Sequence, residues 1–306
     1  MTTWERRRFR RTTNGESESA AVLDSAQPDI DWRMLPPGAH RFRFAAPSGS
    51  LAAVSFGDPA NERVVLVPGA TGSKEDFTLV APLLVAAGYY VESYDLAGQY
   101  ESAGAGPEPS LSYDYDLFVG DLLAFLNAGE APAHVLGYSF AGFVAQLAYL
   151  AQPELFLSLA FLGMPPQPGQ SFRGVSWIGP LSYVIPAHTI AGLLIWGVRG
   201  NLNHASPGRV PLVRERFDDT VRCSIDDIIG LMKHAPDLRV ELAVSGLPLL
   251  VAVGSHDLWP TRLQREFAAL IRADYREYST GHSPCETTPH QLARDLVALY
   301  RRASPD

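Results

Sequence analysis

From residue 40 onward, apolar positions follow two alternating patterns. Short runs rich in branched and aromatic residues, typical of strands, alternate with longer segments in which apolar residues recur every three or four positions, typical of amphipathic helices. The runs that predict strands are residues 40–47, 51–58, 63–69, 89–96, 133–139, 155–164, 247–255 and 274–279. The first two are joined by a short turn and predict an antiparallel edge.

Helical periodicity fills most of the intervals between these strands. The predicted helices cover about residues 74–87, 113–127, 140–152, 261–272 and 288–302. Repeated strand–helix–strand units indicate parallel strands with right-handed crossovers and helices on both faces of one sheet. In such sheets, functional side chains lie just beyond the carboxyl ends of the strands. The sequence therefore predicts an α/β fold and tells us where to look for its site.

A serine stands at the end of the fifth predicted strand, in the segment HVLGYSFAGF of residues 134–143. Ser139 follows the strand directly and precedes a helix, an arrangement that presents a nucleophile on a strained turn. Such a turn needs small neighbours two residues away, and here these are Gly137 and Ala141. The alternative is a helix N-cap, where serine is also favoured.

The same G-x-S-F-x-G spelling recurs in GQSFRG, residues 169–174. There Ser171 follows the segment MPPQP, and a central strand does not tolerate prolines. Only Ser139 therefore has the strand–turn–helix context of a nucleophile.

Two later strand ends carry candidate partners for this serine. Asp257 follows Gly254 by three residues at the end of the seventh strand, and His282 lies between the last strand and the last helix. A carboxylate that orients a histidine, which takes a proton from a serine, forms a Ser-His-Asp triad. The alternatives are that Asp257 caps a helix and that His282 is an ordinary surface residue.

Backbone amides complete the candidate site. The third strand ends in Pro68-Gly69, a turn that exposes main-chain N–H groups. The amides of Ala70 and Phe140 are the candidate donors of an oxyanion hole.

With these residues in view, the chain resembles the α/β-hydrolase superfamily from about residue 40 to residue 303. Serine, acid and histidine occur in that family's order. The segment DLAGQYESAG matches the D-x-x-G-x-x-x-S loop of its members through Asp95, Gly98 and Ser102. The resemblance implies a mostly parallel eight-stranded sheet with helices on both faces and a helical cap inserted after the sixth strand.

The resemblance also implies a division of the chain. Residues 31–164 and 246–306 form the predicted α/β-hydrolase core, and residues 165–245 form the predicted helical cap. The apolar stretch of residues 177–198 is long enough to span a bilayer, but prolines, glycines and a histidine interrupt it, which favours a lid over a pocket and argues against stable membrane insertion. The candidate substrate-binding side chains are Tyr138, Trp177, Tyr183 and Trp196.

Charge and cysteine content limit the classes of binding partner and the cellular setting that are expected. The formal net charge of −8 argues against nucleic acid, because phosphate binding needs a basic face. Two cysteines give neither a disulfide framework nor a zinc spacing, which suits a reducing cytoplasm. Residues 1–30 carry a basic cluster without a following apolar run and are predicted to be a disordered tail.

The function expected from the sequence is a cytoplasmic serine hydrolase, without cofactor or metal, that cleaves a carboxylic ester of a small or medium apolar compound through an acyl-enzyme. The alternatives are a thioesterase or a carbon–carbon bond hydrolase. An alternative of another class is a small-molecule sensor that retains the triad.

Overall fold

A computed structural model of the protein describes residues 19–175, 186, 188–190, 192 and 206–304. This part of the chain forms one sheet of eight strands. The strands are β1 (His40–Ala46), β2 (Gly49–Phe56), β3 (Glu62–Val67), β4 (Tyr89–Tyr94), β5 (Ala133–Tyr138), β6 (Phe156–Leu162), β7 (Leu249–Gly254) and β8 (Asp274–Tyr278). Their order across the sheet is β1-β2-β4-β3-β5-β6-β7-β8.

The direction of the strands confirms the predicted topology. β2 pairs antiparallel with both β1 and β4, and all other neighbours are parallel. β5 is buried over its whole length, as expected for a continuous apolar run in a parallel sheet that is covered on both faces. β8 at the edge is more polar, and only Tyr278 is buried there.

Helices cover both faces of the sheet. The described residues 19–25 are helical and are called α1. The helices with described bounds are α2 (Val80–Ala86), α3 (Tyr115–Asn127), α4 (Ala141–Ala151), α5 (Arg209–Asp219), α6 (Arg222–Met232), α7 (Arg239–Val244), α8 (Thr261–Leu270), α9 (Pro284–Thr287) and α10 (Pro289–Ala303). One apolar core joins the sheet to α3, α4 and α8 through Phe118, Phe143 and Phe267. A second core joins the other face to α2 and α10 through Leu84 and Leu296.

The helix predicted over residues 74–87 is divided in two. A 3-10 turn covers Lys74–Phe77, and α2 begins only at Val80. Pro82 explains the break, because proline has no N–H to donate to the carbonyl of Thr78 as a continuous helix would require.

The D-x-x-G-x-x-x-S loop is tied to its surroundings by buried polar groups. Asp95 accepts hydrogen bonds from the backbone N–H of Lys74 at 2.8 Å and from its Nζ at 3.0 Å. Ser102 Oγ accepts from the N–H of Ala52 at 2.9 Å. Burial raises the pKa of Asp95 to about 7, although Lys74 opposes the rise. These residues fix the loop after β4 against the sheet.

The described part of the N-terminal segment, residues 19–30, contains a helix where the sequence predicted a disordered tail. Residues 19–25 are helical, and the carboxylate of Asp24 accepts hydrogen bonds from the backbone N–H groups of His290 at 2.7 Å and Gln291 at 3.2 Å. A carboxylate at the free N–H groups of a helix start is stabilising, and here it docks α1 onto α10. Residues 1–18 lie outside the described part of the chain.

The interval predicted as a cap, residues 165–245, contains α5, α6 and α7 between β6 and β7. Most of the apolar stretch at residues 177–198 lies outside the described residues. Within the described residues, no helix has both the length and the apolar character needed to cross a membrane. The function of the interval as a cap stays a prediction.

A buried ion pair at the start of β3, the end of the strand away from Ser139, generates a stability prediction. Arg63 Nε lies 2.5 Å from Glu92 Oε2, and its two terminal nitrogens donate to the carbonyls of Leu126 and Phe125, both at 2.8 Å. Arg63→Met is expected to lower the free energy of unfolding by about 3 to 5 kcal/mol, because it leaves a buried carboxylate uncompensated. Urea unfolding followed by circular dichroism measures the loss.

The double variant with Arg63→Met and Glu92→Met is the control. It is expected to recover much of the lost stability, because it removes both buried charges. A loss below about 1 kcal/mol in the single variant would contradict the assignment, since surface ion pairs contribute no more than that.

Candidate active site

Ser139 occupies a sharp turn between β5 and α4. Its φ angle is +52°, in the left-handed region that non-glycine residues rarely adopt. The N–H of Ser139 donates to the carbonyl of Leu162 at 2.8 Å, which ties the turn to the end of β6. Ser139 remains 9% exposed. Strained backbone at a reactive side chain is characteristic of functional sites.

Small residues make this turn possible. A Cβ at Gly137 would lie 2.6 Å from the carbonyl oxygen of Ala141, and a Cβ at Gly142 would lie 2.5 Å from Cγ of Met164. The methyl group of Ala141 is accommodated and completely buried. Position 137 therefore needs glycine because a side chain there would meet backbone, the space beside position 142 is filled by the side chain of Met164, and alanine at 141 is compatible with the turn.

His282 lies between Ser139 and Asp257. Its Nε2 is 3.3 Å from Ser139 Oγ, and its Nδ1 is 2.7 Å from Asp257 Oδ1. Burial lowers the pKa of His282, but the charge of Asp257, its hydrogen bond and the charge of Glu286 outweigh burial, so the pKa lies above its usual value. The structure thus brings together all three residues of the predicted triad.

The side chain of Asp257, three residues beyond the end of β7, is completely buried. Its Oδ1 also accepts from the backbone N–H of Leu258 at 2.5 Å, while Oδ2 has no hydrogen-bond donor among the described residues. With one oxygen held by its own loop, the carboxylate has a fixed orientation towards His282.

Two glycines that sequence reasoning missed allow the close approach of these loops. A Cβ at Gly163, directly after β6, would lie 3.1 Å from His282 Nδ1 and 3.2 Å from Asp257 Oδ2. A Cβ at Gly254, the last residue of β7, would lie 1.9 Å from the carbonyl oxygen of Gly281. Their signal in the sequence is their position, since each lies at the carboxyl end of a central strand.

The candidate oxyanion donors belong to two adjacent turns. Gly72 N–H donates to the carbonyl of Gly69 at 3.0 Å, and we call this segment, residues 69–72, the oxyanion turn. Within the described residues, neither the amide of Ala70 nor that of Phe140 donates to another group. Both amides are therefore free to bind a ligand, and their role in an oxyanion hole stays a prediction.

The hydroxyl group of Tyr138 contacts the loop between β8 and α9, residues 279–283, which carries His282 and which we call the histidine loop. The hydroxyl donates to the carbonyl of His282 at 3.1 Å and lies 2.9 Å from Ser283 Oγ. Burial holds the pKa of Tyr138 well above its usual range, so the hydroxyl is neutral. These contacts position the loop, and a role of Tyr138 in substrate binding stays a prediction. The other candidates, Trp177, Tyr183 and Trp196, lie outside the described residues.

Trp259, an aromatic residue that sequence reasoning did not single out, packs near His282. The ring of Trp259 is 5.9 Å from that of His282, and its Nε1 donates to the carbonyl of Ser171 at 2.7 Å. Ser171, the serine of the second G-x-S-F-x-G segment, is buried, and its Oγ donates to the carbonyl of Met232 at 2.6 Å. Ser171 therefore has a structural role.

Comparison with known families agrees with this architecture. The sequence profile of the α/β hydrolase family matches residues 64–295, so the chain belongs to that family. No curated protein matches the chain by sequence.

Among the described residues, no group of three or more His, Cys, Asp or Glu side chains is arranged to hold a metal ion.

Solved structures with the same fold have several hydrolytic activities. The chain is similar to a carboxylesterase of the thaumarchaeon Nitrososphaera gargenis, with a TM-score of 0.69 and 18% identity over 86% of this chain and 98% of that one. It is similar to the thioesterase domain of the curacin biosynthetic pathway, with a TM-score of 0.65 and 18% identity over 85% and 99%. It is also similar to a meta-cleavage product hydrolase of Pseudomonas fluorescens, with a TM-score of 0.65 and 17% identity over 86% and 98%. At these identities, the likeness establishes the fold alone.

The close approach at Gly254 generates a prediction. Gly254→Ala would place a Cβ against two carbonyl oxygens, those of Gly281 and Thr280 at 1.9 and 2.4 Å, and the backbone must move. We expect a loss of about 1 to 3 kcal/mol in stability. We also expect loss of the downfield proton NMR signal of the hydrogen bond between His282 and Asp257.

Gly281→Ala is the matched control in the same loop. A Cβ at Gly281 meets no atom within 4 Å, so stability and the NMR signal are expected to be preserved. An unchanged signal in Gly254→Ala would show that the tight approach does not set the geometry of the pair.

Proposed function

We propose that the protein is a serine hydrolase that cleaves a carboxylic ester of a small or medium apolar compound. The observation that carries the proposal is the continuous chain of contacts from Ser139 Oγ to His282 and from His282 to Asp257. It is supported by the strained backbone of Ser139 and by two free amides at the adjacent turns.

Acylation begins when Ser139 Oγ attacks the ester carbonyl and His282 Nε2 takes its proton. Asp257 keeps the other nitrogen of His282 protonated and stabilises the imidazolium that forms. The amides of Ala70 and Phe140 donate to the oxyanion of the tetrahedral intermediate. The intermediate collapses when His282 gives its proton to the departing alkoxide, and the acyl group stays on Ser139.

Deacylation repeats these steps with water. His282 takes a proton from the water as it attacks the acyl carbonyl, and the proton passes to Ser139 Oγ as the acid leaves. The distance of 3.3 Å between Nε2 and Oγ is long for a hydrogen bond, as is common before a substrate binds.

The position of the acid favours an ester or a carbon–carbon bond over a thioester. Acyl thioesterases of this fold often carry their acid after an earlier strand than β7. Here the end of β6 is occupied by Gly163, and a side chain there would contact His282 Nδ1. Only the loop after β7 supplies a carboxylate that is hydrogen-bonded to the histidine among the described residues.

The proposed setting is a reducing cytoplasm, with a small ester as the partner. Both cysteines are free, Cys285 buried and Cys223 exposed, in agreement with that setting. The proposed reaction uses only side chains and backbone groups of this chain. The alternative function is a small-molecule sensor that retains the triad, and the turnover assay below distinguishes the two.

Turnover of p-nitrophenyl esters from acetate to decanoate is the test of the proposed function. Ser139→Ala is expected to lower kcat by about a million-fold, because the triad acts as a unit. Ser171→Ala is the matched control and is expected to retain turnover, since Ser171 lies outside the chain of contacts. A single equivalent of product without further turnover would favour the sensor.

The pH dependence of kcat/KM tests the role of Asp257. His282 must be neutral to accept a proton, so kcat/KM is expected to fall below a pKa that lies above the usual value of 6.5. In Asp257→Asn, burial is no longer outweighed, so the acid limb is expected to move to lower pH. The kcat of that variant is expected to fall by about ten thousand-fold. An acid limb that does not move would contradict the assignment.

A further inference from the structure

A buried cluster of charges next to the candidate active site plays no part in the mechanism above. Two arginines from α5, Arg209 and Arg216, meet Asp76 of the 3-10 turn and Glu286 of α9. Arg209 and Asp76 are 2% and 1% exposed. Charges are costly to bury, so a cluster of this kind must be held together by several hydrogen bonds.

Arg209 links two neighbouring segments by its side chain. Its Nη2 donates both to Asp76 Oδ1 and to Glu286 Oε1, the latter at 2.6 Å. The guanidinium group also stacks on the ring of Trp32, with 4.4 Å between its central carbon and the ring centroid. One side chain of the interval between β6 and β7 thus links the segment after β3 to the segment after β8.

Asp76 is in direct contact with the oxyanion turn. Its Oδ2 accepts from the backbone N–H of Ser73 at 3.2 Å, and a Cβ at Gly72 would lie 2.6 Å from the same oxygen. Arg216 Nη1 holds the other oxygen at 2.6 Å. Because the turn rests against this carboxylate, a shift of Asp76 would move the amide of Ala70.

Glu286 lies next to the histidine loop, as Asp76 lies next to the oxyanion turn. α9 begins at Pro284, two residues after His282, and Glu286 lies in its single turn. Its charge contributes to the raised pKa of His282. A shift of Glu286 would therefore change both the position and the charge environment of the histidine.

The balance of charge in the cluster depends on Arg209. Burial raises the pKa of Asp76, but Arg216 and Arg209 outweigh it, so the pKa lies below its usual value. Burial raises the pKa of Glu286, and Arg209 offsets only part of that effect. Without Arg209, the buried carboxylate of Asp76 would keep Arg216, and the partly buried Glu286 would keep only the more weakly acting Arg216 and His282.

We infer that Arg209 is a positioning residue that sets the distance between the oxyanion turn and the histidine loop through Asp76 and Glu286. The inference rests on the proposed function. Because Arg209 belongs to α5, its contacts with Asp76 and Glu286 require α5 to stay in its observed position. The position of α5 is therefore a condition for catalysis. A loop misplaced by about 1 Å can lower a rate by about a hundredfold.

The test compares Arg209→Met with Arg63→Met, which also removes a buried arginine but at the far end of β3. We expect Arg209→Met to lower kcat for a p-nitrophenyl ester by about ten- to a hundredfold, with KM changed by less than about threefold. Arg63→Met is expected to lower Tm without lowering kcat. Equal effects of the two variants on kcat would overturn the inference.

Two further variants separate positioning from stability. Arg209→Met combined with Glu286→Gln leaves Arg216 and Asp76 as a balanced pair, so Tm is expected to recover while kcat stays low. If Arg209→Met does not fold, Arg209→Lys replaces it, because an ammonium group keeps the charge but not the planar fork. We expect Arg209→Lys to fold and to lower kcat several-fold. Recovery of kcat in the double variant, or a wild-type kcat in Arg209→Lys, would overturn the inference.

The rate at which a fluorophosphonate labels Ser139 distinguishes failure of this inference from failure of the proposed function. If the wild-type protein is labelled but turns over no ester, the ester proposal fails, and slower labelling of Arg209→Met still supports positioning. If labelling is equally fast in both proteins, the inference about Arg209 fails. Absence of labelling in the wild-type protein overturns both.

Discussion

The left-handed backbone of Ser139 is the constraint on which the rest of the site depends. A serine adopts a φ angle of +52° only where its surroundings hold it there, and here β5 and α4 hold it from either side. The turn leaves no space for side chains at Gly137 and Gly142, and it ties the Ser139 N–H to the end of β6. The cost of this strain is met by the apolar packing of the sheet, and its effect is a largely buried hydroxyl group that faces His282 beyond the end of β5.

Buried electrostatics then determine which groups meet that hydroxyl. His282 loses solvation on burial, yet the charge of Asp257 raises its pKa. The hydrogen bond between Nδ1 and Asp257 holds the ring in one orientation with Nε2 towards Ser139. The same loop is attached to Glu286 and, through Arg209, to the segment after β3. The candidate site is therefore formed by the ends of several parallel strands that are joined by buried charges.

The local sequence pattern was enough to predict the eight strands, the turn at Ser139 and the three residues that the structure brings together. It did not predict features that depend on contacts between distant parts of the chain. Pro82, which explains the division of the helix predicted over residues 74–87, is a local signal in the sequence, but the docking of Asp24 on α10 has no such signal. Nor does any local signal show that Arg209 meets Asp76 and Glu286, because these residues are far apart in the chain and their pairing depends on the folded topology.

The central claim is that Ser139 carries the acyl group during turnover. Its most direct test is acid quenching of the protein mixed with a p-nitrophenyl ester, followed by peptide mapping in a mass spectrometer. The account predicts an acyl adduct on the peptide that contains Ser139 and its absence in Ser139→Ala. An adduct on another residue, or turnover that persists in Ser139→Ala, would contradict it.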